Sequence, residues 1–164
     1  EASNTRRIVR ALEVIEITGR PFSASLPRYE DIVPTVHIAL RCERRLLDLR
    51  INERARAMFE GGLVEEVETL IGQGIREGET APRAIGYAQA LAVIDGTMSV
   101  TEAVDSTALA TRQLASRQIK WFRRDPRVHW IDVALTESGQ CTDSERSRVI
   151  RQAWELVCER RGVA

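Results

Sequence analysis

The sequence predicts a mainly helical chain with two short strands, the helical flank of an α/β protein whose main sheet lies elsewhere. Three observations carry this reading. Apolar residues recur at helical spacing along most of the chain, only two short β-branched runs interrupt them (residues 35–40 and 128–132), and glycine and proline punctuate the intervals. At 164 residues and 43% hydrophobic content the chain can bury one modest core. Basic and acidic residues number 24 each, so any affinity for phosphate must come from local clustering. The three cysteines, Cys42, Cys141 and Cys158, lie far apart with no zinc-type spacing, which fits a reducing cytoplasm. No apolar run approaches the roughly 18 residues needed to span a membrane, and no signal-peptide pattern opens the chain. Glu1 is not an initiator Met and a helical pattern is running within a few residues, so a fragment is expected.

Asn4 or Thr5 can cap a first helix carrying Ile8, Leu12 and Ile15 at helical spacing, and Thr18-Gly19-Arg20-Pro21 ends it. Residues 22–34 lack periodicity and read as a loop of about a dozen residues, a length often associated with mobility or function. The run 35–40 is a short buried-type strand. A long helix follows over 44–60, with Leu46, Leu49 and Ala57, Met58 or Phe59 expected inward and Gly61-Gly62 closing it. Further helices are expected over 64–71, from Pro82 to about Asp95-Gly96, and from Ser99 or Thr101 to about Arg124. Residues 128–132 alternate as a second strand, and residues 144–161 form a last amphipathic helix. No internal repeat or low-complexity segment is present.

Chemistry is concentrated in four places. Over residues 111–124 a helical wheel at about 100° per residue puts Leu114, Ala115, Ile119, Trp121 and Phe122 on one arc and Arg117, Lys120 and Arg124 opposite. Arg112 and Arg123 flank the apolar arc and Gln118 falls within it, where a buried amide would need partners. The plain alternative is an amphipathic helix with a solvated basic face. Arg41, Arg44, Arg45, Arg50, Arg54 and Arg56 form a second concentration, in which Arg50 and Arg54 project from one helix face and match the paired acceptors of a diphosphate. A surface of Glu–Arg pairs is the alternative. Arg6, Arg7 and Arg10 line a single helix, as suits a sugar-phosphate backbone or a solvated face. Gly86, within Arg83-Ala84-Ile85-Gly86-Tyr87-Ala88-Gln89, stands inside a helical pattern at a cost of about 1 kcal/mol against Ala. Close approach of a ligand or a packed neighbour would explain it. His37 and His129 read as structural, no Ser or Cys has a base arrangement beside it, and no G-x-x-x-x-G-K-[ST] occurs.

In order along the chain, these segments resemble the bacterial tRNA dimethylallyltransferases, of the IPP transferase family. The resemblance rests on Arg6-Arg7-Ile8-Val9-Arg10-Ala11-Leu12-Glu13-Val14 with Thr18-Gly19-Arg20-Pro21, then Arg50-Ile51-Asn52-Glu53-Arg54 with Met58, then Gly61-Gly62-Leu63-Val64-Glu65-Glu66-Val67, then Ala84-Ile85-Gly86-Tyr87. Thr111-Arg112-Gln113-Leu114-Ala115, Arg117-Gln118 and Trp121-Phe122-Arg123 complete it. It covers residues 5 to about 132.

The resemblance implies a P-loop-like, nucleotide-binding α/β core with a helical insertion, of which this chain is the carboxy-terminal part. Residues 1–34 would belong to the helical tRNA-binding insertion and its loop, and residues 35–164 to the mostly helical end of the catalytic core. The implied reaction moves a dimethylallyl group from dimethylallyl diphosphate to N6 of a tRNA adenine, assisted by Mg²⁺. The phosphate loop and the general base would lie in an amino-terminal segment absent from this sequence, which leaves no catalytic residue here. Carried over by position, Arg54 contacts the diphosphate, in agreement with the Arg50/Arg54 face. Arg6, Arg7, Ile8, Val9 and Arg10 form one tRNA-contacting stretch, and Arg83, Ala84, Ile85, Gly86, Tyr87 and Ala88 another. Many relatives carry a basic residue where Ala88 stands, so one phosphate contact is in question. Arg112 and Gln118 support the channel. A cytoplasmic monomer is expected. The alternatives are an adenylate isopentenyltransferase acting on a free nucleotide, or a non-catalytic helical RNA-binding module.

Overall fold

The computed structural model describes residues 5–22 and 29–161, the side chain of residue 161 excepted. Contacts divide the chain into two compact units, residues 1–30 and 31–164. The first is built on α1 (Thr5–Thr18). It ends where the Gly19 amide bonds the Ile15 carbonyl at 2.8 Å and the Thr18 hydroxyl donates to the Val14 carbonyl at 2.6 Å. The apolar row Ile8, Leu12 and Ile15 is exposed. Asn4, the alternative cap, and residues 23–28 of the expected loop lie outside the described residues.

The second unit runs β1 (His37–Arg41), α2 (Arg44–Glu60), α3 (Leu63–Ile71), 3-10 turns at Ile75–Glu77 and Ala81–Arg83, and α4 (Tyr87–Ile94). It continues through α5 (Val100–Phe122), β2 (Val128–Asp132) and α6 (Asp143–Arg161). The chain is therefore mainly helical with two short strands. These pair in parallel, from His37 opposite Val128 to Arg41 opposite Asp132. At the carboxyl end of the ladder the Arg41 guanidinium forks onto the Asp132 carboxylate, at 2.5 and 2.9 Å.

Local chemistry sets the helix limits. Ser99 and Glu102 cap α5 reciprocally: Ser99 Oγ accepts from the Glu102 amide at 3.3 Å, and Glu102 Oε2 from the Ser99 amide at 2.8 Å. The Gly61 amide closes α2 on the Ala57 carbonyl at 2.9 Å, and Gly62, at φ +94°, turns the chain directly into α3. One core cluster joins Phe59, Leu63, Val67, Ala90, Leu91 and Ala103, and a second joins Ile51, Ala55 and Ala108 between α2 and α5. Each large apolar side chain buried there contributes roughly 1.5–3 kcal/mol. One expectation for α2 needs correction: Leu49 is 40% exposed, because the helix turns the face of Leu46, Ile51, Ala55 and Phe59 inward, and of Ala57, Met58 and Phe59 it is Phe59 that is buried.

A parallel sheet ordinarily has both faces covered. Here Ile131 is 1% exposed but Leu40, its partner in the ladder, is 58% exposed.

Candidate functional site

The basic concentration around α2 separates into roles. Arg41 pairs with Asp132, Arg44 with Asp48 and Arg45 with Glu43, as the surface-pair alternative expects. Arg50 instead donates from Nη1 to the Gly139 carbonyl at 3.3 Å. Arg54 and Arg56 make no hydrogen bond or ion pair among the described residues.

Helical spacing puts Leu47, Arg50, Arg54 and Met58 along one side of α2, beside its buried face. Leu47 and Arg50 line a cavity of about 560 Å³ bounded by β1, α2, α5 and the segment after β2. Its walls are mostly apolar, among them Ile38, Leu40, Ile119 and Phe122, with Arg50 and Gln118 among the few polar groups. Cys42 also lines it, its thiol pushed up by burial against the opposing pull of Arg50. Arg54 therefore stands one turn beyond a cavity-lining arginine. The Arg54 guanidinium, which bonds no described residue, is available to an anion, and the donors that Arg50 does not spend on Gly139 stand four residues away on the same side.

One more turn along the same side, Met58 leads to the segment 83–88. A Cβ on Gly86 would stand 3.2 Å from Met58 Cε and 3.5 Å from Leu63 Cδ2. Gly86 is buried at φ +98°, ψ −53°, and its amide donates to Gln89 Oε1 at 2.9 Å. The expected helix from Pro82 is thus broken. A 3-10 turn ends at Arg83, Ala84 is extended, and Gly86 is the cap of α4 rather than an interior residue. The close neighbours at this glycine are the side chains of Met58 and Leu63. Arg83 and Ala84 are exposed, while Ile85 and Ala88 are half-buried. The Tyr87 hydroxyl donates to Glu66 on α3, and that bond, aided by burial, holds the phenol above its usual range.

On α5, Arg112 donates from Nη1 to the Asn52 side-chain oxygen of α2. Its carbonyl accepts from Ser116 Oγ at 3.0 Å and from Arg44 Nη2 at 3.4 Å, and Arg44 Nη1 reaches Ser116 Oγ at 2.7 Å. Arg112 is thus part of a brace between α2 and α5, and Asn52 is a partner that sequence spacing did not reveal. Gln118 is exposed at the cavity, which corrects the expectation of a buried amide. The arc around it is not a sealed core face either, since Leu114 and Phe122 are each 37% exposed and Trp121 is 68% exposed.

In the first unit Arg6, Arg7, Ile8, Val9 and Arg10 are all exposed on α1. Arg6 and Arg10 share a shallow groove with Val9 and Glu13, and Glu13 pairs with Arg10 at 3.1 Å. His37 contacts Asp31 at 2.9 Å. His129 is exposed on β2. No group of three or more His, Cys, Asp or Glu side chains able to hold a metal occurs among the described residues. No helix described is long and apolar enough to cross a membrane.

Comparison with known proteins agrees with the sequence resemblance. The IPP transferase family model matches residues 1–125. The tRNA dimethylallyltransferase of Streptomyces coelicolor is 55% identical over 155 residues, covering 94% of this chain and 47% of that protein. That of Streptomyces avermitilis is 54% identical over 142 residues, covering 85% and 46%. The crystal structure of the full-length tRNA isopentenylpyrophosphate transferase from Bacillus halodurans superposes with a TM-score of 0.64 at 32% identity, covering 99% of this chain and 48% of that one. The chain thus spans about half the length of the curated relatives it matches. On sequence and on fold together, it belongs to the IPP transferase family.

Proposed function

We propose that this chain is the carboxy-terminal part of an enzyme that prenylates tRNA, moving a dimethylallyl group from dimethylallyl diphosphate to N6 of an adenine. The observation that carries the reading is the single side of α2 on which Arg50, Arg54 and Met58 succeed one another, Met58 meeting Gly86. It brings the arginines suited to a diphosphate within two helical turns of the segment 83–88, suited to the acceptor RNA. In the reaction N6 bonds to C1 of the prenyl group, the C1–O bond to diphosphate breaks, and the N6 proton passes to a base. Arg54, with Arg50 behind it, offsets charge growing on the departing diphosphate, the place where electrostatic stabilisation acts most strongly. Mg²⁺, the phosphate loop and the base belong in this reading to the amino-terminal half possessed by the relatives. A monomer acting in the cytoplasm is part of the same proposal.

The exposed arginines of α1 favour RNA over a free nucleotide as acceptor, because an extended row matches successive phosphates. The test is prenyl transfer by the full-length enzyme to tRNA and to adenosine monophosphate, with a variant carrying Arg6→Ala and Arg10→Ala. Transfer to tRNA alone is expected. The double variant should bind tRNA more weakly, with a salt dependence shallower by about two phosphate contacts. An unchanged salt slope would mean that these arginines are only solvated, and transfer to the mononucleotide would favour the adenylate isopentenyltransferase reading.

A further inference from the structure

One side chain ties the bend at Gly86 to the longest helix of the second unit. Gln89, half-buried on the first turn of α4, accepts the Gly86 amide on Oε1 at 2.9 Å and donates from Nε2 to Ser106 Oγ of α5 at 3.3 Å. Ser106 stands next to Thr107 and one turn beyond Ala103, both buried, so the far end of this bridge is fixed to the core. Gly86 is itself buried, and its amide has no other hydrogen-bond partner among the described residues.

The rest of the segment 83–88 follows from that bend. The Ala88 amide closes a turn on the Ala84 carbonyl at 3.0 Å, with Gly86 between them at φ +98°. Glycine samples more of conformational space than any other residue, and a buried amide deprived of its acceptor is costly. Loss of the Gln89 amide would therefore let the bend open. Beyond it, the Tyr87 hydroxyl bonds Glu66 of α3. Before it, Arg83 is exposed, and its guanidinium bonds no residue among those described.

We propose that Gln89 is a positioning residue for the acceptor RNA. Its amide holds residues 83–88 in one conformation before RNA arrives, so binding does not first have to order the segment. A recognition element ordered in advance binds more tightly, because less conformational freedom is lost on association. The inference rests on the proposed prenylation of tRNA for its substrate, while the clamp itself rests on the two hydrogen bonds.

The experiment uses the full-length enzyme with three variants. Gln89→Leu keeps the bulk but neither bond, and Ser106→Ala removes only the outer bond. In Gln89→Glu the carboxylate can accept from both the Gly86 amide and the Ser106 hydroxyl, so it should restore the clamp. Amide exchange at Gly86, thermal midpoint, kcat, and KM for tRNA and for dimethylallyl diphosphate are measured for each. Gln89→Leu should speed exchange at Gly86 and raise KM for tRNA about fivefold or more. KM for the prenyl donor, and kcat at saturating tRNA, should stay within about twofold. Ser106→Ala should follow in the same direction by a smaller factor, and it decides the matter if Gln89→Leu does not fold. Faster exchange at Gly86 with unchanged KM for tRNA overturns the positioning role. So do equal losses toward both substrates with a lowered thermal midpoint, which would make Gln89 a structural residue, and so does a Gln89→Glu variant as impaired as Gln89→Leu. Should the unaltered enzyme transfer nothing to tRNA, the prenylation reading fails, and the substrate named for this segment fails with it. The clamp is then decided by exchange alone, and unchanged protection of Gly86 in Gln89→Leu overturns it.

Discussion

Gly86 occupies a backbone region that side-chain-bearing residues rarely adopt, and its missing Cβ leaves room for Met58 and Leu63. Gly86→Ala would add both backbone strain and a 3.2 Å contact to the flexible end of Met58. The methionine can yield, so strain dominates, and a loss of about 1–3 kcal/mol is expected. Urea denaturation of the wild type and the variant measures it, and equal midpoints would refute it. Arg54 poses the opposite case: it is exposed and supports no partner among the described residues, so Arg54→Ala should leave stability nearly unchanged. In the full-length enzyme it should instead lower kcat/KM for dimethylallyl diphosphate by roughly tenfold to a hundredfold, the scale of one lost charge-assisted bond. Unaltered kinetics with the donor would remove Arg54 from the site.

Elements with strong local signals were legible in the sequence. Residues 44–60 and 128–132 form α2 and β2 as expected, because glycine closes the one and β-branched alternation marks the other. The break before α4 was not legible, since Gly86 is placed by contacts with Met58 and Leu63, which lie 28 and 23 residues away in sequence. The brace between α2 and α5 was equally hidden, because Arg112 and Asn52 are 60 residues apart. Asn52→Ala should cost about 1 kcal/mol, and a thermal scan showing no loss would make the brace incidental. At the sheet, Asp125 is lowered to about 2 by its bonds from Arg127, and Glu145 to about 2 by Arg148 and the Ala134 amide. Both carboxylates would titrate near 4 in the unfolded chain, so the folded state holds the charged form more tightly. Their support is complete above about pH 4 and is lost as pH falls toward 2. The thermal midpoint should therefore drop across that interval, and Asp125→Asn should flatten the drop. A midpoint independent of pH there would show that neither pair matters to stability.

At the scale of the molecule, a two-stranded parallel sheet leaves open edges and half of one face uncovered, and such a pair is seldom stable without more strands or covering helices. Leu40 on β1 and Phe122 on α5, both exposed, line the apolar cavity within the second unit. The chain spans about half the length of its curated relatives, so their other half is a candidate cover. The chemistry divides in the same way. In the proposed reading the arginines of α2 hold the diphosphate, but the sequence contains no phosphate-cradling loop motif and no residue proposed to accept the N6 proton. Catalysis requires interactions stronger in the transition state than in the ground state, and binding groups without those partners stabilise both alike. Residues 1–164 alone are therefore expected to bind tRNA weakly through α1 and the segment near Arg83, and to transfer no prenyl group. Mixed with a separately made amino-terminal half of a close relative, they should regain transfer from radiolabelled dimethylallyl diphosphate to tRNA, and amide exchange over β1 should slow as the strand gains partners. Transfer by residues 1–164 alone would show that the catalytic groups lie within this chain. Exchange over β1 unchanged by the added half would show that its exposed face is covered by something else.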